Sequence, residues 1–511
     1  MKMHRRGLQL HPGGLLALAL AGMALACSGE GGEGALTFTL DQPAGKLDPL
    51  LDPRLARLAL YDDATGDTFG VIPFRVDERL ELAAIAAGTH DFRLEGLSSS
   101  GQLLSVARAF DVVVSQSAAA QATLHLRKPL AYLAADSRIL AFDTAATPGS
   151  NEVIDPILLG GATGLAATRA GDLLLATIDE GGGSAVVWLD TGSHTEGGRL
   201  PLVAHATGVL VDPRDRYAAI LHRADEMISI LDLARLRTGA GDAALSTIDA
   251  PSPVRATFDA NGGLWVVSTN TTRCDVPQAN PGVLLHLDVR GAPVNGEAPI
   301  ALPAITGDVA VHPLNGHPVL ALPCQNLVAE LAPEGAIQLA GVQKVSDIVI
   351  DGTTLFAVGP VPGGADAGQV VTLDLATGLT REVRFPIEPM PIRTGATDAH
   401  LNPYYIDVPA TALQAADLVV SPRGARAAFI HQITYYMVTD IQYRCSNLVI
   451  NIVEHGYSIV DLEAAQLIST TPTDYEVDCV CDGQPQGNCI SGTVDPAAYR
   501  PKATTILMGV E

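Results

Sequence analysis

Residues 371–378 read VTLDLATG, and close relatives of that phrase recur along the chain. AVVWLDTG stands at 185–192, ISILDLAR at 228–235, LLHLDVRG at 284–291 and YSIVDLEA at 457–464. A shorter form, ILAFDTA, occupies 139–145, and a degraded one, LVAELAPEG, occupies 327–335. The anchor positions are Asp143, Asp190, Asp232, Asp288, Leu331, Asp374 and Asp461, spaced by 47, 42, 56, 43, 43 and 87 residues. Each phrase is a short apolar run ending in a turn. Its Asp is placed to accept backbone N–H bonds where the strand stops.

A second element precedes most anchors: an apolar run, a polar turn and another apolar run. ATRAGDLLLAT, LVDPRDRYAAIL, FDANGGLWVV, VHPLNGHPVLAL, VIDGTTLFAV and VVSPRGARAAFI are the instances. They predict paired strands joined by tight turns in which Gly and Asn supply positive φ. Four short strands per unit and a period near 43 residues predict an all-β chain whose larger part, 128–511, is a seven-bladed β-propeller. The hairpins DANGGLWVVS and SPRGARAAFI resemble those of NHL-type and YVTN-type propellers, a resemblance that implies the fold and no activity. The first unit lacks a leading strand, and the terminal run KATTILMGVE is expected to supply it, closing the ring without an open edge.

Residues 35–127 carry seven short alternating segments, from ALTFTL to AAQATLHL, and predict a separate β-sandwich. AAGTHDFRLEGLSSSGQLL at 86–104 resembles the hairpin of transthyretin-like and immunoglobulin-like sandwiches. In YDDATGD at 61–67, Asp62, Asp63 and Asp67 are weak calcium candidates; an acidic hairpin turn is the simpler reading.

The N-terminus carries an address. Lys2, Arg5 and Arg6 precede a short apolar run over 13–26, too short to span a bilayer, so 1–26 reads as a signal peptide. Ala24-Leu25-Ala26-Cys27 resembles a bacterial lipobox, which implies acylation of Cys27, a flexible tether over 27–34 and an outer-membrane lipoprotein facing the periplasm or the surface. The expected membrane partner is thus reached through a lipid anchor. Formal charge is −24, or −27 without the leader, which repels phosphate backbones and argues against nucleic acid as a partner.

Six further cysteines, Cys274, Cys324, Cys445, Cys479, Cys481 and Cys489, suit disulfides in an exported protein. Cys274 and Cys324 fall in equivalent strand 2–3 loops of neighbouring blades, so they are expected to pair. Cys445 is expected to pair within the trio 479, 481 and 489, with 445–479 and 481–489 preferred over 445–481 or 445–489.

Insertions fall unevenly. The strand 2–3 loops carry TTRCDVPQANPG, VPGGADAG and, in the last blade, the 23-residue TYYMVTDIQYRCSNLVINIVEHG; the connection 387–416 and the segment 475–501 are also long. All map to one face of a propeller, which marks it as a binding face. Eight of eleven tyrosines follow residue 403, and Tyr404, Tyr405, Tyr435, Tyr436 and Tyr443 are the candidates for contact with a protein or glycan partner. On this reading residues 433–455 are a removable insertion.

Nucleophile-elbow, zincin, P-loop and dinucleotide motifs are absent from the sequence. No catalytic residue, metal or cofactor is assigned, and a non-catalytic binding scaffold is the expectation. A lactone hydrolase, a quinone-dependent dehydrogenase and an outer-membrane protein assembly factor are the alternatives. Trp188 and Trp265 are the only tryptophans, few for a quinone-dependent propeller.

Overall fold

The computed structural model describes residues 16–18, 36–74, 85–115, 120–135, 138–145, 153–269, 274, 281–364, 367–397, 403–421, 426–439, 448–464, 466–481, 484–485 and 503–508. The chain is all-β. Its first part holds a four-stranded antiparallel sheet in spatial order Thr68–Pro73, Leu55–Asp62, Gly88–Ser98, Leu103–Val114. Leu36–Asp41 pairs in parallel with Ala120–His125, and Leu16–Leu18, from the predicted leader, adds an antiparallel edge to it. The two sheets enclose one apolar core that includes Phe38, Leu60, Phe92, Leu94, Leu104 and Leu124. One of the seven expected segments, LELAAI at 80–85, lies outside the described residues except for Ile85.

Beyond Lys128 the chain forms six four-stranded antiparallel sheets and a final five-stranded one, here sheets I to VII in chain order. This is the β-propeller arrangement, with each sheet built from consecutive strands except the first. Sheet I contains Leu130–Ala135, Arg138–Asp143 and Val153–Ile157, and its innermost strand is Ala503–Met508, paired antiparallel with Leu130–Ala135. The terminal run therefore completes the first sheet.

Alternation explains why neighbouring sheets stack. Within one strand, Leu174 faces sheet I while Leu175 faces sheet III. Every sheet thus presents two apolar faces, and each is covered by a neighbour. Leu130, Tyr132, Leu165 and Leu189 fill the layer between sheets I and II. Phe385, Leu413, Phe429, Ile433 and Ile452 fill the layer between VI and VII. Leu133, Phe142, Val419 and Tyr457 join VII back to I. Gly368 marks one tight contact, where a Cβ would run into the Phe385 ring.

The repeated Asp does what its position demanded. Asp143, Asp190, Asp232, Asp288, Asp374 and Asp461 accept from the backbone N–H of Ala145, Ser193, Arg235, Arg290, Ala376 and Ala464, respectively, at 2.7–2.9 Å. At Leu331 the chain turns from Ala332 to Gly335 without such a cap.

Removing residues 503–511 should expose the edge of Leu130–Ala135 and uncover Ala131 and Leu133. We expect a loss of at least about 3 kcal/mol, from two or more apolar side chains returned to water and an opened ladder. Chemical denaturation of full-length and truncated protein measures it.

Candidate functional site

The strands before Lys128 pack on the face built from strand 1–2 and 3–4 turns. Arg54 donates to the Ala145 carbonyl at 2.5 Å in the sheet I turn. Arg127, buried, donates to the Thr191 hydroxyl at 2.9 Å in the sheet II turn, and to the Asp41 carboxylate at 2.8 Å. Arg214, in the sheet III turn, reaches back to Asp91 at 2.6 Å and Asp111 at 3.1 Å. Asp215 beside it accepts from the Arg169 and Ala170 N–H groups of sheet II. Burial pushes the Asp215 carboxyl up to about 6 despite those bonds.

Strand direction places the insertions on the opposite face. There Cys274 and Cys324 form a disulfide between the strand 2–3 loops of sheets IV and V, as expected from their equivalent positions. Cys479 and Cys481 lie in the fourth strand of sheet VII; their side chains, and Cys27, Cys445 and Cys489 entirely, fall outside the described residues.

The long segment in sheet VII is not a loop. Arg426–Thr439 pairs with Leu448–Asp461 over the whole length of both, and Gln466–Cys481 continues alongside as far as Leu448. Strands of 14, 14 and 16 residues replace the 2–8 found in the other six sheets. The cause is composition: TYYMVT and LVINIV are β-branched and aromatic runs that find each other as partners. At about 3.4 Å per residue, the six pairs from Thr434 to Thr439 form an arm of roughly 20 Å. Residues 433–455 are therefore not removable as a block, since Ile433, Tyr435 and Ile452 belong to the core against sheet VI. The connection before sheet VII is likewise structured, with Met390–Thr397 paired to Pro403–Val408.

The tyrosine candidates divide. Tyr435 is buried and Tyr436 is 44% exposed, on alternate faces of the arm. Tyr404 and Tyr405 lie in the Pro403–Val408 strand, with side chains outside the described residues, as is Tyr443. Tyr435 donates to Glu454 at 3.4 Å; Glu454 meets His431 at 3.2 Å, and His431 meets the Ser458 hydroxyl at 3.0 Å. All four are buried, so this network fastens the arm to its base and presents no nucleophile to solvent.

Sequence reading missed a polar cluster at the insertion-side end of the innermost strands. Asp308 accepts from the Ile348 N–H at 3.2 Å, stapling sheet V to VI. Asp347 accepts from the Leu418 N–H at 2.9 Å, stapling VI to VII. Burial, then the neighbouring Asp308 charge and their shared hydrogen bond, push the Asp347 carboxyl well above its ordinary range. Burial opposes the charge on Arg255 of sheet IV, but Asp308, Asp347 and Asp417 overcome it and hold the guanidinium above its usual value. Asp417 sits at a break in strand register with φ 49°. GDVAV and SDIVI preceding a strand were the available sequence signal.

The calcium candidates are otherwise engaged. Asp62 caps its own turn through Ala64 and Thr65 N–H at 3.0 Å, Asp63 pairs with Arg93 and Arg108, and Asp67 accepts from the Thr65 hydroxyl. Among the described residues no group of three or more His, Cys, Asp or Glu is arranged to hold a metal ion.

No family model matches the chain, and no curated protein matches it. Solved structures similar to it include a protein assigned as a 6-phosphogluconolactonase from Bacteroides uniformis, at 12% identity and TM-score 0.40, covering 69% of this chain and all of that one. The Cps50 (Swd1) β-propeller domain of Myceliophteria thermophila gives 11% identity and TM-score 0.38 over 59% and 89%. A nidogen/laminin complex gives 13% identity and TM-score 0.33 over 50% and 92%. Such likeness carries no functional argument, and the propeller assignment rests on sheet order and packing.

The raised Asp347 carboxyl has a sign. Its favourable contribution is complete below the unfolded pKa, near 4, and is lost as pH rises through the folded value. Asp347→Asn keeps an oxygen for Leu418 and removes the charge. We expect it to match wild type near pH 4 and to gain stability over it toward pH 8, by about 1 kcal/mol or more. Thermal melts across that range measure the difference.

Proposed function

We propose that the protein is a lipid-anchored, exported binding scaffold: a seven-bladed β-propeller carried on an N-terminal β-sandwich, whose insertion-rich face holds a protein or glycan partner without catalysing a reaction. The observation that carries this is the sidedness of the molecule. The first domain occupies the turn face through Arg54, Arg127 and Arg214. Leu36, where the proposed tether would join, belongs to the strands that pack on that side. The opposite face, with the Cys274–Cys324 bridge and the sheet VII arm, is turned away from the membrane.

A disulfide over 50 residues of separation restrains loops that have little core of their own. The arm adds an exposed aromatic ring, Tyr436, to a surface rich in hydrogen-bonding backbone. Exposed Leu158 and Val203, in the connections into sheets II and III, lie on the same side and add apolar contact area.

Replacing Met437–Ile450 by Asn-Gly joins the register pair Tyr436 and Asn451 through a two-residue turn and leaves the base of the arm intact. The shortened protein should melt within a few degrees of wild type and lose at least tenfold in partner recovery after cross-linking in native envelopes. Undiminished recovery by the folded variant sinks the assignment of the arm to binding.

A further inference from the structure

The outermost strand of each propeller sheet lies on the rim, and its outer backbone edge pairs with no other strand among the described residues. Open edges are ordinarily guarded by charge, proline or brevity. Six of the seven follow that rule. VIDPI in sheet I, TEGGRLPL in sheet II and TREVRFP in sheet VI each carry both charge and proline. LSTID in sheet III ends in an acid, Ile300–Ala301 in sheet IV is two residues long, and Gln484–Pro485 in sheet VII holds a proline.

Sheet V departs from the rule. Its outermost strand, Gly335–Gly341, reads GAIQLAG, with neither charge nor proline. Gly335, Ala336, Ile337 and Gln338 are all exposed, Ile337 by 43%. Glu330, opposite Ile337 on the neighbouring strand, is buried and hydrogen-bonded to Asn315 and His317, so its charge does not guard the edge. The register with that neighbour shifts only beyond Gln338, which leaves Gly335–Gln338 as an unbroken stretch of extended backbone.

An open strand of this kind accepts another strand, main chain to main chain. The chain's own charge says which. At a formal −24, two copies repel over most of their surfaces, and an uncharged edge is where they can meet. A two-fold axis normal to the sheet sets the edge antiparallel to itself. In that arrangement Glu334, in the turn before the strand, approaches the end of the other copy that carries Lys344; both residues are exposed. The two ends are therefore complementary in sign.

We propose that Gly335–Gln338 is a self-association edge, through which two copies join their fifth sheets into one continuous sheet. The contact lies on the rim, clear of the insertion-rich face, and does not depend on what that face binds.

A contact this small gives a concentration-dependent dimer, so sedimentation velocity of the full chain from about 1 to about 200 µM tests the proposal. Wild type should pass from monomer to dimer across that range, and amide hydrogen exchange over Gly335–Gln338 should slow as it does. Ile337→Lys should weaken the dimer at least about tenfold by setting like charges against each other. Should that variant fail to fold, Gln338→Lys changes another exposed position on the same edge and should produce a similar loss. The proposal is overturned if wild type stays monomeric throughout. It is equally overturned if a folded Ile337→Lys or Gln338→Lys protein dimerises undiminished, or if dimerisation leaves exchange over Gly335–Gln338 unchanged.

Discussion

Each propeller sheet is apolar on both faces, and none can cover either face by itself. That constraint organises everything else. Leu174 and Leu175 are adjacent in sequence yet belong to two different interfaces. The same holds for Leu320 and Ala321 in sheet V. A sheet of this kind is stable only between neighbours, so the whole set must close on itself. The layer of Leu133, Phe142, Val419 and Tyr457 makes that closure. Polar staples work along the same direction: Asp308 and Asp347 each reach into the next sheet and accept a backbone N–H there.

The repeat was legible because its signal is local. An apolar run ending in Asp and a turn residue needs only its own backbone to make sense, and six such Asp residues cap their strand ends. The disulfide was legible because two loops of equivalent position in adjacent units must be neighbours. The arm was misjudged because period counting treats anything beyond four short strands as an insertion. TYYMVT and LVINIV alternate well enough to be strands, but what makes them strands is each other, across a register that a repeat length does not encode.

The channel cluster was illegible for a different reason. Arg255, Asp308, Asp347 and Asp417 lie on four sheets and share no motif. Asp347 in sequence is indistinguishable from the turn-capping aspartates. Only the stacking of neighbouring sheets brings the Asp308 and Asp347 carboxyls within hydrogen-bond reach. Tyr435 and Tyr436 show the same limit at smaller scale. One is buried beside Glu454 and the other is exposed, a difference set by which face of the arm meets sheet VI.

The pairing of Ala503–Met508 with Leu130–Ala135 has a temporal consequence. Roughly 370 residues separate the two strands, so the first sheet is whole only once the far end of that span has been made. The amino-terminal domain has no such dependence, because its strands all lie within the first 125 residues. Assembly should therefore proceed in two stages: early consolidation of the amino-terminal sheets, then a slow, late locking step dominated by long-range loop closure. In between, the edge of Leu130–Ala135 stands open. That interval is when the chain is most open to unwanted strand pairing.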